Sequence, residues 1–246
     1  MTNETEIKRQ VREFYDQVGA LRDMVQNHMM QLLCLTAMEP PTSRGHDAVR
    51  DEKMKVLRAV RRFTPQDVRQ QTVAAQYASG HVHGEDVAAY VSEDGVSPES
   101  ATETFAAVRF HIDNWRWQGV PFILWTGKRM QKKVSEVMIR FRKPPFNLFD
   151  THASVPAANA LVFRLQPDSG VVLRMNAKMP GLTTDVQRLV MRAPYANDAA
   201  GVAVSAAPAK TPGVKSQRVN SSKRKKTVVM SCLSTGNERA VGSGVG

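Results

Sequence analysis

Leu161-Val162-Phe163-Arg164-Leu165-Gln166-Pro167-Asp168-Ser169-Gly170-Val171-Val172-Leu173-Arg174-Met175-Asn176 reads as two strands and the turn between them. Leu161, Phe163 and Leu165 alternate with Val162, Arg164 and Gln166, and Val171, Leu173 and Met175 alternate with Val172, Arg174 and Asn176. A period of two puts one set of side chains on each face of a sheet. The run Pro167-Asp168-Ser169-Gly170 supplies the residues that turns favour. Working outward, Val137, Ile139 and Phe141 alternate with Met138 and Arg140, while Val108, Phe110 and Ile112 alternate with Arg109, His111 and Asp113. Gly119-Val120-Pro121 and Lys143-Pro144-Pro145 fall between these runs as turn signals. Successive half-buried strands joined by turns predict an antiparallel sheet with one polar face.

Upstream the period changes. Ile7, Val11, Phe14, Val18, Leu21, Val25, His28, Leu32 and Leu35 follow steps of four and three, which draws one apolar stripe along a helix over 6–38. Gly19 is a candidate break within it. Glu39-Pro40-Pro41 ends it, because proline cannot donate the ladder bond and disfavours helix in the residue before it. A second helix is expected over 47–63, and Thr64-Pro65 reads as a stop and a new start. Residues 66–100 mix short elements with turns. Helices first and strands afterwards predict an α+β fold, with N-terminal helices packed on a large antiparallel sheet. Ala199–Gly246 is rich in Ala, Ser, Val, Gly, Lys and Pro and has no aromatic residue, so a disordered C-terminal tail is expected. The domain division is then 1–191 and a basic tail over 192–246.

The charge agrees with that division. The chain carries a net +11, and residues 197–246 hold eight basic and two acidic residues. The rest is mildly basic, which suits a small anionic ligand as well as nucleic acid. Lys223-Arg224-Lys225-Lys226 has the look of a nucleic-acid patch, but a solvated tail is the better reading, and nucleic acid is not an expected partner. No apolar run approaches the about 20 residues of a membrane span. The first residues lack a basic stretch followed by an apolar one, so no secretory signal is expected. Two cysteines, Cys34 and Cys232, are too few for a disulfide framework and fit a reducing, cytoplasmic setting.

Candidate chemistry is sparse. His28 lies on the apolar stripe and reads either as a satisfied core histidine or as a general base, since neutral imidazole accepts a hydroxyl proton near pH 7. Asp23 precedes it by five positions, well round the surface of an ideal α-helix. Gly127-Lys128-Arg129, followed by Lys132-Lys133, is either a solvated turn or a phosphate-holding cluster. His81-Val82-His83 lacks a third ligand at metal-site spacing, so no metal is expected. Trp115-Arg116-Trp117 is read as core or interface before stacking platform. The sequence contains no G-x-G-x-x-G, P-loop, G-x-S-x-G or H-E-x-x-H.

Several ordered stretches together resemble glucose-6-phosphate dehydrogenase. Phe14-Tyr15-Asp16 and Gly19-Ala20-Leu21-Arg22-Asp23-Met24-Val25-Gln26-Asn27-His28 are similar to the helix that carries that family's catalytic histidine. Glu52-Lys53-Met54-Lys55-Val56-Leu57-Arg58, Ala75-Gln76-Tyr77-Ala78-Ser79-Gly80 and Gly95-Val96-Ser97-Pro98-Glu99-Ser100, running into Thr102-Glu103-Thr104-Phe105-Ala106-Ala107, continue it. It is densest at Ile112-Asp113-Asn114-Trp115-Arg116-Trp117, Gly119-Val120-Pro121-Phe122 and Thr126-Gly127-Lys128-Arg129. Arg164-Leu165-Gln166-Pro167-Asp168 and Leu173-Arg174-Met175-Asn176-Ala177-Lys178 close it, so that the likeness covers roughly 14–191.

The resemblance implies an oxidoreductase of the pentose phosphate pathway that oxidises glucose 6-phosphate to the lactone and passes a hydride to NADP or NAD. His28 matches the histidine that removes the C1 hydroxyl proton, and Asp23 matches an aspartate that hydrogen-bonds the sugar. Lys128 matches a substrate-binding lysine, and Lys133 falls where a second basic residue is common. The family's sheet forms a dimer interface, which implies a homo-oligomer. The family's Gly-rich dinucleotide loop and its R-I-D-H-Y-L-G-K-E segment are not among these residues. Trp125 stands where many members have arginine. The expectation is therefore a C-terminal, substrate-side portion, inactive alone, whose tail reads as a truncated or frameshifted ending. The alternative is a non-enzymatic assembly partner of a complete subunit.

Overall fold

Tyr15, Ala20, Val25, Met29, Leu33 and Ala37 are the first helical residues to reach the core, each 5% exposed or less. The steps between them are five, five, four, four and four. An α-helix repeats every 3.6 residues, so two successive steps of five cannot stay on one face without a change of winding. The computed structural model, which describes residues 4–82, 84–143, 158–182, 185–195, 203–205 and 226–234, shows that change. Helix α1 (Glu4–Ala20) breaks at Gly19, whose φ of 68° and ψ of 177° lie outside helical space. A π-helical segment, Leu21–Met29, follows, and α2 (Met30–Ala37) resumes the ordinary winding. Helix α3 spans His46–Ala59 and buries Glu52 and Val56. The expected restart at Thr64-Pro65 is α4 (Pro65–Gln71). The Thr64 hydroxyl accepts from Asp67 N–H, the Asp67 carboxylate accepts from Thr64 N–H, and Pro65 sits where no amide donor is needed.

Strand β1 (Thr72–Ala75) leads to a small hairpin, β2 (Gly80–Val82) and β3 (Glu85–Val87). The main sheet continues with β4 (Phe105–His111), β5 (Pro121–Lys128), β6 (Val134–Phe141), β7 (Ala160–Gln166), β8 (Gly170–Lys178) and β9 (Val186–Pro194). It is completed by β10 (Ala203–Ser205) and β11 (Lys226–Ser234). The order across the nine strands is β1-β4-β5-β11-β6-β7-β8-β9-β10. The quoted hairpin is β7 and β8, with Leu161 opposite Leu173 and Phe163 opposite Val171.

Register decides which face is dry. One cross-strand row runs Val108, Leu124, Met230, Val137, Phe163, Val171, each opposite the next. Val108, Leu124, Met230 and Val137 are buried, and together with Phe122 and Ala106 they pack with the helical residues named above into one cluster. Phe163 on β7 is the outermost strand member of that cluster. On the opposite face, Val162, Val172 and Val190 form a second small cluster with Met138.

The expected fold class needs correction on three points. The sheet is mixed, because β11 runs parallel to β5 while pairing antiparallel with β6. The tail expected to be disordered supplies that central strand, and Met230 within it is fully buried. The helices do not cover the sheet as a whole: their packing ends near β7, and no described helical residue belongs to the second cluster. The physical reason lies in pairing. Unpaired strand edges leave backbone donors and acceptors unsatisfied, and β5 and β6 present the two edges between which Lys226–Ser234 fits. Lys223, Arg224 and Lys225 of the basic run lie outside the described residues, as does His83.

Candidate functional site around the helix break

Much of the predicted stripe is turned away from the core, although Val25 is buried and Leu32 packs against it. Val11 is 55% exposed, Phe14 61%, Leu21 40% and Leu35 48%, and His28 lies exposed among them. The core reading of His28 is therefore set aside. Hydrogen bonds from residue i to i+5 wind the π-segment more loosely than an α-helix. Met30 N–H, for example, reaches Val25 C=O. Residues five apart then lie closer around the axis than in an α-helix, which brings Asp23 round toward the side of His28. An ideal α-helix would have separated them.

Glu103 and Thr104 hold this segment against the sheet. The carbonyl of Glu103 accepts from Ala20 N–H at 3.0 Å, and its carboxylate accepts from Leu21 N–H at 2.9 Å. The Tyr15 hydroxyl points to the same carbonyl at 3.5 Å. Thr104, only 1% exposed, accepts from Lys128 N–H through its carbonyl at 2.9 Å, and its hydroxyl accepts from Tyr77 N–H at 2.9 Å. Two adjacent residues thus tie the start of the π-segment to the end of β5.

Tyr15 is the meeting point. The Lys128 ammonium stands 3.2 Å from the centre of the Tyr15 ring, a cation–π contact that fixes a flexible chain on a rigid platform. Burial pushes the Tyr15 hydroxyl well above its ordinary value of 10.0, with Tyr90 and then the charge of Asp23 adding to the effect. Asp23 is therefore close enough to Tyr15 to act on it electrically, and the phenol stays protonated. Tyr15 packs edge-on against Tyr90, which packs edge-on against Tyr77. Below this stack Glu93 accepts from the Tyr77 hydroxyl at 3.2 Å and pairs with Arg129 at 2.5 Å and Arg12 at 3.5 Å. Arg129 adopts a left-handed φ of 57°, which turns the chain directly after Lys128.

The structure thus sets Lys128 on the Tyr15 ring with the charge of Asp23 felt at its hydroxyl, while His28 is exposed on the same π-segment as Asp23. Lys133 is exposed on the β5–β6 connection, and no described contact ties it to Tyr15. Sequence reading held Tyr15, Glu103 and Thr104 only as members of motifs and gave them no role, since their roles depend on partners far along the chain. The tryptophans part company: Trp117 donates to Ala37 C=O and packs against Phe122, whereas Trp115 is fully exposed. His81 pairs with Asp86 on the small hairpin, away from these groups. Among the described residues no three His, Cys, Asp or Glu side chains gather as a metal site, and no helix is long and apolar enough to cross a membrane.

Fold and site define an α+β domain in which a helix break and a π-segment pack against the end of β5, with an ammonium seated on a buried tyrosine. Residues 1–208 match the family described as glucose-6-phosphate dehydrogenase, C-terminal domain, and the chain belongs to that family. It is 49% identical over 170 residues to glucose-6-phosphate 1-dehydrogenase of Dickeya dadantii, covering 69% of this chain and 34% of that one. The enzyme of that name from Rhizobium meliloti is 52% identical over 170 residues, 68% and 34% of the two chains. A solved structure of glucose-6-phosphate dehydrogenase in complex with its substrate glucose-6-phosphate superposes with a TM-score of 0.63 at 34% identity, over 75% of this chain and 36% of that one. Glucose-6-phosphate 1-dehydrogenase from Mycobacterium avium gives 0.61 at 37%, over 75% and 37%. The chain spans about a third of the length of the curated relatives it matches.

Proposed function

We propose that this domain forms the sugar-phosphate side of a cytoplasmic glucose-6-phosphate dehydrogenase. The observation that carries the reading is the gathering of Asp23 and Lys128 around Tyr15, on the loosely wound segment that presents His28 to solvent. In this reading His28 accepts the C1 hydroxyl proton of glucose 6-phosphate. Asp23 accepts a hydrogen bond from a sugar hydroxyl. Lys128 neutralises phosphate charge, with Lys133 as a second cation on the same connection. An exposed imidazole suits a general base, and an ammonium suits phosphate as a point charge.

A hydride acceptor such as NADP or NAD completes the oxidation. The described residues do not fit one: all four α-helices precede β1, so no strand leads through a glycine turn into a helix N-terminus. Calorimetry with glucose 6-phosphate tests the reading directly. Binding that is lost in Lys128→Ala and in Asp23→Asn is the expected result, and a chain indifferent to glucose 6-phosphate overturns it. NADP- and NAD-linked oxidation with a His28→Asn control then asks whether the chain reacts by itself.

A second reading, assembly with another copy or with a complete subunit, is favoured by the helix-free part of the sheet. Leu161, Leu173, Met175, Leu189 and Met191 share one face of β7–β9 by register and are only partly buried. An apolar sheet face of this kind is covered in a stable protein.

A further inference from the structure

We propose that Glu103 is a positioning residue for the site, holding the π-segment in the winding that brings Asp23 round toward His28 and keeps the start of the segment beside Lys128. The proposal rests on the reading of those three residues as the sugar-phosphate site. Glu103 itself touches none of the proposed reacting atoms.

Three observations point to it. First, the Glu103 carboxylate accepts from Leu21 N–H at 2.9 Å, at the first residue of the π-segment, where a helix leaves amide donors without partners. A carboxylate there is also favoured by the partial positive charge of the segment's N-terminal end. Second, the Glu103 carbonyl holds Ala20 N–H at 3.0 Å, so one residue grips two successive amides across the break. Third, the break is built to admit the carboxylate. A Cβ at Gly19 would stand 2.6 Å from Glu103 Oε1, and Gly19 has a φ of +68° that side chains rarely adopt.

The consequence reaches Lys128 through the next peptide. Thr104 C=O accepts from Lys128 N–H, so Glu103–Thr104 is a clip with the His28 segment on one side and the lysine on the other. If Leu21 N–H loses its acceptor, a segment with i→i+5 bonds has a ready alternative. It can tighten to α-winding, which carries Asp23 away from the face of His28.

The test uses the whole chain with Glu103→Ala, Glu103→Gln and Glu103→Asp. Amide hydrogen exchange is read residue by residue, and glucose 6-phosphate binding is read by calorimetry. Expected in Glu103→Ala is exchange at least about tenfold faster over Leu21–Met29, with β4 to β9 unchanged, and binding weakened about tenfold. Glu103→Gln keeps an acceptor oxygen and restores most of both. Glu103→Asp keeps the charge but is one methylene too short, and it behaves like alanine. Should Glu103→Ala fail to fold, the contrast between Gln and Asp decides. Unchanged exchange in the segment, or Gln and Asp variants that behave alike, overturns the proposal. Absence of glucose 6-phosphate binding in the unaltered chain overturns the functional reading instead, and leaves exchange to judge Glu103 alone.

Discussion

Gly19 shows how much one residue decides. Its φ of 68° with ψ of 177° is a region open almost only to glycine, and the Glu103 carboxylate occupies the space of a side chain. Gly19→Ala is expected to cost about 1–3 kcal/mol, measured by urea denaturation, with no loss at a glycine such as Gly80, whose Cβ position is open. The tyrosines make a second residue-scale prediction, at alkaline pH. Burial is the main cause that lifts both Tyr15 and Tyr90 above the ordinary 10.0. A group whose folded value is raised contributes stability that is intact below the unfolded value and is lost as pH rises through the folded one. Stability should therefore fall above about pH 10, by up to about 1.4 kcal/mol per pH unit for each tyrosine. Tyr15→Phe and Tyr90→Phe should each flatten that decline; an unchanged slope would remove the phenols as its source.

At the scale of elements, local signals and tertiary demands separate cleanly. The α4 start was legible because its cap is self-contained: Thr64, Pro65 and Asp67 lie within four residues. Thr64→Ala should lower stability by about 1 kcal/mol without moving any strand. The paired strands around Pro167-Asp168-Ser169-Gly170 were legible for the same reason, since alternation and turn chemistry lie side by side. The winding of Leu21–Met29 was not. Its stripe of four and three steps predicts a regular α-helix with Val11, Phe14, Leu21 and His28 inward, yet those residues are exposed. What overrides the pattern is a carboxylate 82 residues away and the need to bury Tyr15, Ala20 and Val25 together.

Across the whole molecule the central question is what closes the sheet. Met230 is fully buried in the row between Leu124 and Val137. Met230→Ala should cost about 2–5 kcal/mol in thermal or urea unfolding, a penalty that a disordered tail could not show. Phe122, fully buried beside it, should cost about 3–5 kcal/mol when cut to alanine. The helix-free apolar face predicts self-association. Sedimentation should show a dimer that Leu173→Glu dissociates, and a monomer in both cases would leave that face without this role.

The sequence by itself determined which family the chain resembles, that helices precede strands, where α4 begins, and which strands alternate. These are properties of neighbours within a few residues, or of ordered motifs that need no folding to be read. It also named Asp23, His28 and Lys128, through motif likeness alone. The tertiary structure decided the rest: that Lys226–Ser234 enters between β5 and β6, that His28 faces solvent, and that Lys128 stands over Tyr15. Each depends on contacts between residues far apart in the chain, where backbone pairing and burial outweigh any local preference.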